Sequence, residues 1–510
     1  KKSGALTSNA AERVYVAPGE HDEFYAFVSG GFSGQLSVYG LPSGRLFKVI
    51  PVFSVDAEKA YGFNEETKPM LNTSFGFVPW DDSHHPDISQ TAGELDGRWV
   101  FINGNNTPRI AKIDLTTFET TEIIEIPNSA GNHSSSYVTE NTEYVVAGTR
   151  FAVPVPQRDM PISEYKGNFK GALTFLKVDP EDGKMNISFQ ILMPGFDYDK
   201  AHPGRGDSHG WFFFTTYNSE EANSLLEVNA SQNDKDFIAA VNWKVIEEYV
   251  NNGGGTKMPA NYAHNVYDEN THSATSTMMK EVLTINPSDV PGAIYFLPTP
   301  KSPHGCDVSP TGEYIVGSGK LSADVTVHSF TKMIKAIKEK KFDGDAYGIP
   351  ILNYEAILAG SVKSGGLGPL HTEFDGKGNA YTTFFISSEV VKWKLGTWEV
   401  IDRKPTYYSV GHLMIPGGNS AKPFGKYLVA LNKITKDRYL PTGPELCQSA
   451  QLYDITGDKM ELLLDFPTIG EPHYAAGCPG DLLKPNQTKI YKLEENEHPW
   501  AAKNEKEAKV

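Results

Sequence analysis

The chain has little cysteine, no long apolar run and no excess of basic residues. Cys306, Cys447 and Cys478 are the only cysteines among 510 residues, too few and too far apart for a disulfide framework or a Cys-x-x-Cys site. No apolar run approaches the ~20 residues that a membrane-spanning helix needs, so we predict no membrane span. The formal net charge is -16 at pH 7 and basic residues do not cluster, which argues against a nucleic-acid partner.

The composition indicates a turn-rich globular protein with a sizeable core. Hydrophobic residues make up 39% of the chain, alongside 47 glycines and 33 prolines. The opening stretch KKSGALTSNAAER lacks the apolar core of a secretory signal, so any signal has been removed or was never present. From about Pro485 the sequence becomes charged and loses alternation. We therefore expect one domain over 1–485 and a linker or wrapped extension over 486–510.

Polar turns followed by short runs of β-forming residues recur along most of the chain. Copies of this unit lie at 94–104, 139–149, 309–319, 373–385 and 424–432, with a looser copy at 206–218. Multi-strand repeats of about 40 to 60 residues are typical of propeller blades, and the longer gaps leave room for an unrecognised or insertion-bearing blade. Helical periodicity is confined to insertions at 242–252 and 328–341, expected on the outside. The predicted fold is all-β, a seven-bladed β-propeller with helical insertions.

Seven of the 14 histidines share one sequence context, a short Gly/Pro/Asn loop just ahead of a repeat's turn and strand. They are His84, His85, His133, His304, His371, His412 and His473. Equivalent loops of successive blades converge on a propeller's axis, so we expect these imidazoles in one cavity at one end of the central channel. A lone loop histidine is usually a surface or hydrogen-bonding residue, and the other seven, including His209, are interpreted in that way.

Seven imidazoles exceed the about four to six positions that one metal ion offers, which favours a cluster. Neutral imidazole suits copper, zinc, iron or nickel. Because these loops carry no carboxylate or thiolate at ligand spacing, a multi-copper centre is preferred to a di-iron carboxylate site.

Several segments of the chain resemble nitrous oxide reductases. The matching segments are VYVAPGEHDEFYAF, DDSHHPD, SPHGCDVSPTGEYIVGSGKLS, GPLHTEFDGKGNAYTT, LNKITKDRYLPTGP and GEPHYA. The resemblance covers about residues 14 to 485 and implies that the seven histidines hold a sulfide-bridged tetranuclear copper cluster. It further implies Lys433 and Glu471 at the open edge of the cluster, and the reduction of nitrous oxide to dinitrogen and water in denitrification.

The same resemblance implies calcium beside the copper site. Tyr217, Glu220 and Asp236 match a first calcium site, which hard oxygen ligands suit. At a second site Lys433 would offer its backbone carbonyl. Gln448 replaces the family's usual glutamate there, which removes a formal charge.

The resemblance also implies a periplasmic protein whose electrons enter through a second domain. In the family a cupredoxin domain follows the propeller and holds a dinuclear copper centre through Cys-x-x-x-Cys-x-x-x-His, a motif that this sequence lacks. The implied assembly is a head-to-tail homodimer, with a small donor protein of cytochrome c or cupredoxin type. The alternative is a non-catalytic, metal-binding propeller scaffold. A hydrolase or lyase lacks support, because no Ser/His/Asp arrangement or carboxylate pair recurs in the repeats.

Overall fold

The computed structural model describes residues 10–220, 231–433 and 448–483. Its strands form seven blades of four antiparallel strands each, and this confirms the predicted all-β, seven-bladed propeller. The predicted extension over 486–510 and Cys447 lie outside the described residues. No described helix has the length and apolar character needed to cross a membrane.

The strands of each blade are given from the axis outward. Blades 1 to 4 consist of Ala475–Pro479, Phe24–Ser29, Gln35–Leu41 and Leu46–Pro51; Ser83–Thr91, Glu94–Gly104, Arg109–Asp114 and Glu119–Glu125; Asn132–Val138, Tyr144–Thr149, Phe169–Val178 and Met185–Pro194; Asp197–Pro203, Trp211–Asn218, Lys235–Asn242 and Ile294–Pro300. Blades 5 to 7 consist of Pro303–Val308, Tyr314–Gly319, Asp324–Ser329 and Leu358–Lys363; Pro369–Phe374, Asn379–Phe384, Glu389–Lys394 and Val400–Pro405; Leu413–Met414, Tyr427–Asn432, Ser449–Asp454 and Glu461–Pro467.

The six copies of the sequence repeat coincide with the second strands of blades 2 to 7. Blade 1 has no copy because its innermost strand comes from the other end of the chain. Val28 pairs with Ala475 and Phe24 with Pro479, so strand pairing replaces the turn that links the first two strands elsewhere. This pairing closes the ring.

Two inserted hairpins tie neighbouring blades together on the outside. Strands Thr256–Asp268 and Ser273–Ile285, inserted in blade 4, pair with the outermost strands of blades 2 and 3. Strands Phe342–Ala346 and Ile349–Leu352, inserted in blade 5, pair with each other, and Ile349–Leu352 also pairs with the outermost strand of blade 4. Both insertions cover sheet edges that would otherwise expose unpaired backbone groups.

The predicted helical insertions are present as Trp243–Asn251 and Phe330–Lys338. Each begins after an N-cap whose side chain accepts a hydrogen bond from a backbone N–H of the first turn, Asn242 and Ser329 respectively. The remaining short elements are helices Ala10–Val14, Tyr165–Asn168 and Tyr354–Ile357, 3-10 turns Lys68–Leu71, Ile162–Glu164, Gly206–Ser208 and Pro287–Asp289, and strands Asn72–Thr73, Gly76–Phe77 and Val153–Pro154.

The hydrophobic core lies between the blades, where the faces of adjacent sheets pack on one another. One large cluster joins blades 3 and 4 through rings such as Phe175, Phe189 and Phe212. Around the axis, the innermost strands of all seven blades contact their neighbours in a closed ring. All seven innermost strands begin at the same end of the axis, which we call the mouth. In each blade the second strand is antiparallel to the innermost strand and runs back toward the mouth.

Candidate metal centre

All seven predicted histidines lie at the mouth, at the start of an innermost strand. Their positions are His84 and His85 in Ser83–Thr91, His133 in Asn132–Val138, His304 in Pro303–Val308, His371 in Pro369–Phe374, and His412 and His473 just before Leu413–Met414 and Ala475–Pro479. Six of the seven blades contribute. The expectation that all seven stand in loops is wrong, because five of them belong to the strands themselves.

Irregular strand pairing aims these side chains at the axis. The register of the first two strands shifts between Ser83 and Pro86 in blade 2, between Asn132 and Ser134 in blade 3, and at the equivalent places in blades 5 and 6. Each shift includes a histidine of the set. Such bulges bend a strand locally and re-aim a side chain beside a functional site.

The seven rings form one connected and buried group. Each ring centroid lies within 5.0 Å of another, from 3.4 Å between His84 and His473 to 5.0 Å between His371 and His412. None of the seven residues is more than 7% exposed. Ligand atoms of four of them, His84, His85, His133 and His473, lie within 4.8 Å of one another.

Several rings are held by Nδ1 and present a free Nε2. His85 Nδ1 lies 2.8 Å from the carbonyl oxygen of His133 and 3.0 Å from that of Ser135. Because carbonyls only accept, the proton of a neutral His85 sits on Nδ1 and Nε2 carries the lone pair. The Nε2 atoms of His84, His85 and His473 are buried without a hydrogen-bond partner. A buried nitrogen left in this state costs free energy, and a bound metal ion would satisfy it.

Carboxylates surround the rings, and some of them stand in the histidine segments themselves, where the sequence predicted none at ligand spacing. Asp199 Oδ1 lies 2.9 Å from His133 Nδ1, and its Oδ2 contacts His304 Nδ1. Asp307 and Glu373 flank His371, 3.0 Å from Nδ1 and 3.1 Å from Nε2. Most of these contacts are with Nδ1, which suits groups that orient ligands rather than bind the metal themselves.

Asp82 completes this set, 3.3 Å from His84 Nδ1. Two of the carboxylates had a usable sequence signal. Asp82 precedes His84 by two positions. Glu373 follows His371 by two within one strand, and residues two apart lie on one face of a strand. Asp199 had no such sequence signal, because blade 4 is the one blade without a histidine of the set.

Burial sets the charge state of the centre. It lowers the pKa values of His84, His85, His412 and His473 well below their ordinary value, and that of His304 to about 4 although Asp199 opposes the shift. These rings are therefore neutral at pH 7, the form that binds metal. Burial alone would raise the pKa of Asp199, but its electrostatic interactions and hydrogen bonds with His304 and His133 outweigh burial and hold that pKa well below its usual range.

Lys433 and Glu471 lie beside one of the seven histidines at the mouth. Lys433 Nζ lies 3.4 Å and Glu471 Oε1 3.6 Å from His473 Nδ1. Burial lowers the pKa of Lys433, and the charge of Glu471 partly offsets this. Gly31 packs directly on Glu471. A Cβ atom there would lie 2.6 Å from Glu471 Cβ, and Gly31 also has φ +56°, so only glycine fits.

The expected calcium residues are near the centre, but their oxygens have protein partners. The Tyr217 ring lies 6.4 Å from that of His304. Glu220 Oε1 accepts from the backbone N–H groups of Gln232 and Asn233, and the two oxygens of Asp236 accept from the backbone N–H groups of Ser219 and Ser302.

At the second calcium site the amide of Gln448 donates to the carbonyl of Lys433, at 3.4 Å. This is the carbonyl that the resemblance assigns to calcium. The described cysteines, Cys306 and Cys478, are buried free thiols whose pKa values are raised by burial.

Comparison with known proteins points to one family. Residues 403–473 match the family model described as nitrous oxide reductase propeller repeat. The nitrous-oxide reductase of Stutzerimonas stutzeri is 32% identical over 491 residues, covering 93% of this chain and 70% of that protein. The corresponding enzyme of Pseudomonas fluorescens is 33% identical, covering 98% and 73%, and that of Cupriavidus necator is 32% identical, covering 98% and 75%.

Proposed function

Because the chain belongs to the nitrous oxide reductase family, we propose that it reduces nitrous oxide to dinitrogen and water with two electrons and two protons. The observation that carries this proposal is the convergence of seven buried imidazoles at one end of the propeller axis. A scaffold without metal chemistry has no need to gather so many neutral rings, three of them with unpartnered Nε2 atoms.

These residues fit the copper cluster that the family implies. We propose that it is held by His84, His85, His133, His304, His371, His412 and His473 and contains four coppers bridged by sulfide. Imidazole is a good copper ligand, and the carboxylates at Nδ1 orient the rings as partners of metal-bound histidines commonly do. When bound, such a cluster supplies electrons together to a substrate that is a weak ligand and kinetically inert.

Lys433 is proposed to provide positive charge and a proton at the mouth. Its Nζ is the cationic atom beside His473. A pKa lowered by burial moves the group toward the pH at which general acids work best. Glu471, on the same side of His473, keeps the ammonium oriented. Nζ then stabilises the negative charge that develops on the substrate oxygen and donates a proton to it.

Aromatic rings exclude water from the inner side of the centre. The Tyr474 ring lies 4.9 Å from that of His412, 5.1 Å from that of His371 and 5.3 Å from that of His85. Tyr137 lies 5.8 Å from His85 and is fully buried. Substrate is therefore proposed to enter from the mouth, where Lys433 and Glu471 lie.

Calcium binding remains a prediction. For Tyr217, Glu220 and Asp236 to hold an ion, the ion must replace hydrogen bonds that Glu220 and Asp236 now accept from backbone N–H groups. At the second site an ion must displace the Gln448 amide from the Lys433 carbonyl.

We propose a periplasmic protein that works in denitrification as a head-to-tail homodimer and takes electrons from a cytochrome c or cupredoxin through a cupredoxin domain. The mouth face supports a docking role because it carries many exposed apolar side chains. They are Phe32, Trp80, Phe151, Leu321, Leu367, Ile386, Tyr407, Tyr408 and Ile469, each in a loop at the mouth end of its blade.

The proposed reaction is tested with copper-loaded protein and a reduced viologen dye as artificial donor. We expect one dinitrogen for each nitrous oxide consumed and two electrons drawn from the dye. Dye oxidation that does not depend on nitrous oxide, in protein with a full copper complement, would contradict the proposal and leave a metal-binding scaffold.

A further inference from the structure

A buried lysine lies on the inner side of the metal centre. Lys200 belongs to the innermost strand of blade 4, the blade that contributes no histidine, and its side chain is fully buried. Its Nζ donates to Asp307 Oδ1 at 2.5 Å and to the carbonyl oxygen of Cys306 at 3.2 Å. The same Nζ lies 4.9 Å from the centre of the Tyr137 ring.

The local backbone explains how blade 4 directs two neighbouring charges at the centre. The pairing of the first two strands is irregular between Tyr198 and Ala201. The side chains of Asp199 and Lys200 therefore do not follow the usual alternation between the two faces of a strand. The Asp199 carboxylate contacts Nδ1 of His133 and Nδ1 of His304. Lys200 turns to Asp307 on the neighbouring blade.

Asp307 links the lysine to a histidine of the centre. Its Oδ1 lies 2.5 Å from Lys200 Nζ and 3.0 Å from His371 Nδ1, while its Oδ2 accepts from the backbone N–H of Thr372 at 2.8 Å. Lys200, Asp307 and His371 are each no more than 1% exposed. One carboxylate oxygen therefore lies within 3.0 Å of both an ammonium and an imidazole, away from solvent.

The opposite edge of the His371 ring faces a second carboxylate. Glu373 Oε1 lies 3.1 Å from Nε2. The two carboxylates compete for the ring, and only the Asp307 side includes a direct ion pair with a buried lysine. An ammonium that donates to a carboxylate fixes its position and compensates its charge, whereas removing one partner of a buried pair is strongly destabilising.

We propose that Lys200 is a positioning residue for the metal centre: through Asp307 it holds His371 in the orientation in which the ring can bind copper. Without the ammonium, Asp307 is no longer fixed beside Nδ1 and no longer balances the contact that Glu373 Oε1 already makes with Nε2 of the ring at 3.1 Å, so the ring is held by Glu373 alone. This role rests on the proposed function, since it requires His371 to be a copper ligand.

The test compares Lys200→Met, Asp307→Asn and the double variant in two readouts. The first is thermal unfolding of copper-free protein. Each single variant leaves one buried charge unpaired, so we expect a lower Tm for each and a smaller loss in the double variant than the sum of the two. The double variant removes both charges and keeps the test usable where Lys200→Met does not fold.

The second readout is copper retained against a chelator after loading with Cu(I). We expect copper retention to be about 10- to 100-fold weaker than wild type in Lys200→Met and in the double variant. The double variant should lose copper in this way although it is expected to be more stable than the Lys200→Met variant. Lys112→Met is the matched control: Lys112 is a buried cation 3.4 Å from Glu122 on the outer part of blade 2, so its loss should lower Tm and leave copper retention unchanged.

Retention by Lys200→Met equal to that of the Lys112→Met control would overturn the positioning role and leave a purely structural ion pair. Additive losses of Tm in the cycle would also overturn it, since the pair would then not be coupled. A wild-type chain that binds no Cu(I) would contradict the proposed function, and this role with it. A wild-type chain that binds Cu(I) as tightly as Lys200→Met does would contradict this role alone.

Discussion

The Oδ1 atom of Asp199 lies 2.9 Å from Nδ1 of His133, and the other oxygen of the same carboxylate contacts His304. Blade 4 thus takes part in the centre although it contributes none of the seven histidines. One side chain contacts histidine rings of the blades on either side of it.

Asp199→Asn is expected to keep the fold and weaken copper binding by about 10- to 100-fold, the usual cost of losing an orienting partner of a metal-bound histidine. An amide can accept at one atom only, so it cannot serve His133 and His304 alike. Competitive titration with a Cu(I) chelator measures the change. Affinity equal to wild type would show that the carboxylate does not orient these rings.

His304→Ala is expected to lower bound copper well below four ions per chain while the protein remains folded. His304 Nε2 lies 3.1 Å from His412 Nε2, where one ion could join both rings. His21 is exposed and outside the centre, so His21→Ala is the matched control and should bind copper as wild type does. Elemental analysis of both variants decides the matter, and equal copper in the two would remove His304 from the ligand set.

Lys433→Met is expected to retain copper and to slow turnover by about 100-fold or more, the range of a lost general acid. The methionine keeps the length of the side chain and removes the ammonium beside His473. Steady-state turnover with an artificial donor, normalised to bound copper, measures the effect. Wild-type turnover would end the proposed role of Lys433.

Copper-free protein is expected to lose stability as the pH falls from about 6.5 toward about 4. Burial lowers the pKa values of His84, His85, His412 and His473 well below the ordinary 6.5, and that of His304 to about 4. In this window the unfolded chain binds more protons than the folded one, so stability rises with pH. Tm measured across the window tests the sign.

The same shifts predict that copper binding at pH 6.5 releases few protons from these rings, because they are already neutral. Isothermal titration in buffers of different ionisation enthalpy measures the release. Several protons per chain would contradict the neutral, buried centre.

The repeated turn and strand made both the fold and the histidine set predictable from sequence. Blades repeat one backbone pattern, so histidines at equivalent positions must meet at the axis even when hundreds of residues separate them, as with His84 and His473. The motif match with the family then gave Lys433 and Glu471, which had no pattern of their own and do lie beside His473.

Other parts of the centre depend on contacts that no local pattern records. Asp199 stands in a blade without a ligand histidine, and Lys200 reaches Asp307 on another blade. The bulges that turn His133 and His304 toward the axis are irregularities of pairing between strands, and sequence periodicity cannot show them. The sequence repeat does not show blade 1, because the strands of that blade come from opposite ends of the chain.

The most direct test of the central claim is the copper and sulfide content of the purified chain after anaerobic loading, recorded with its visible absorption spectrum. We predict about four coppers per chain, accompanied by acid-labile sulfide and an intense visible absorption. A colourless protein with far less than one copper per chain would contradict the account and leave a propeller whose seven histidines meet for another reason.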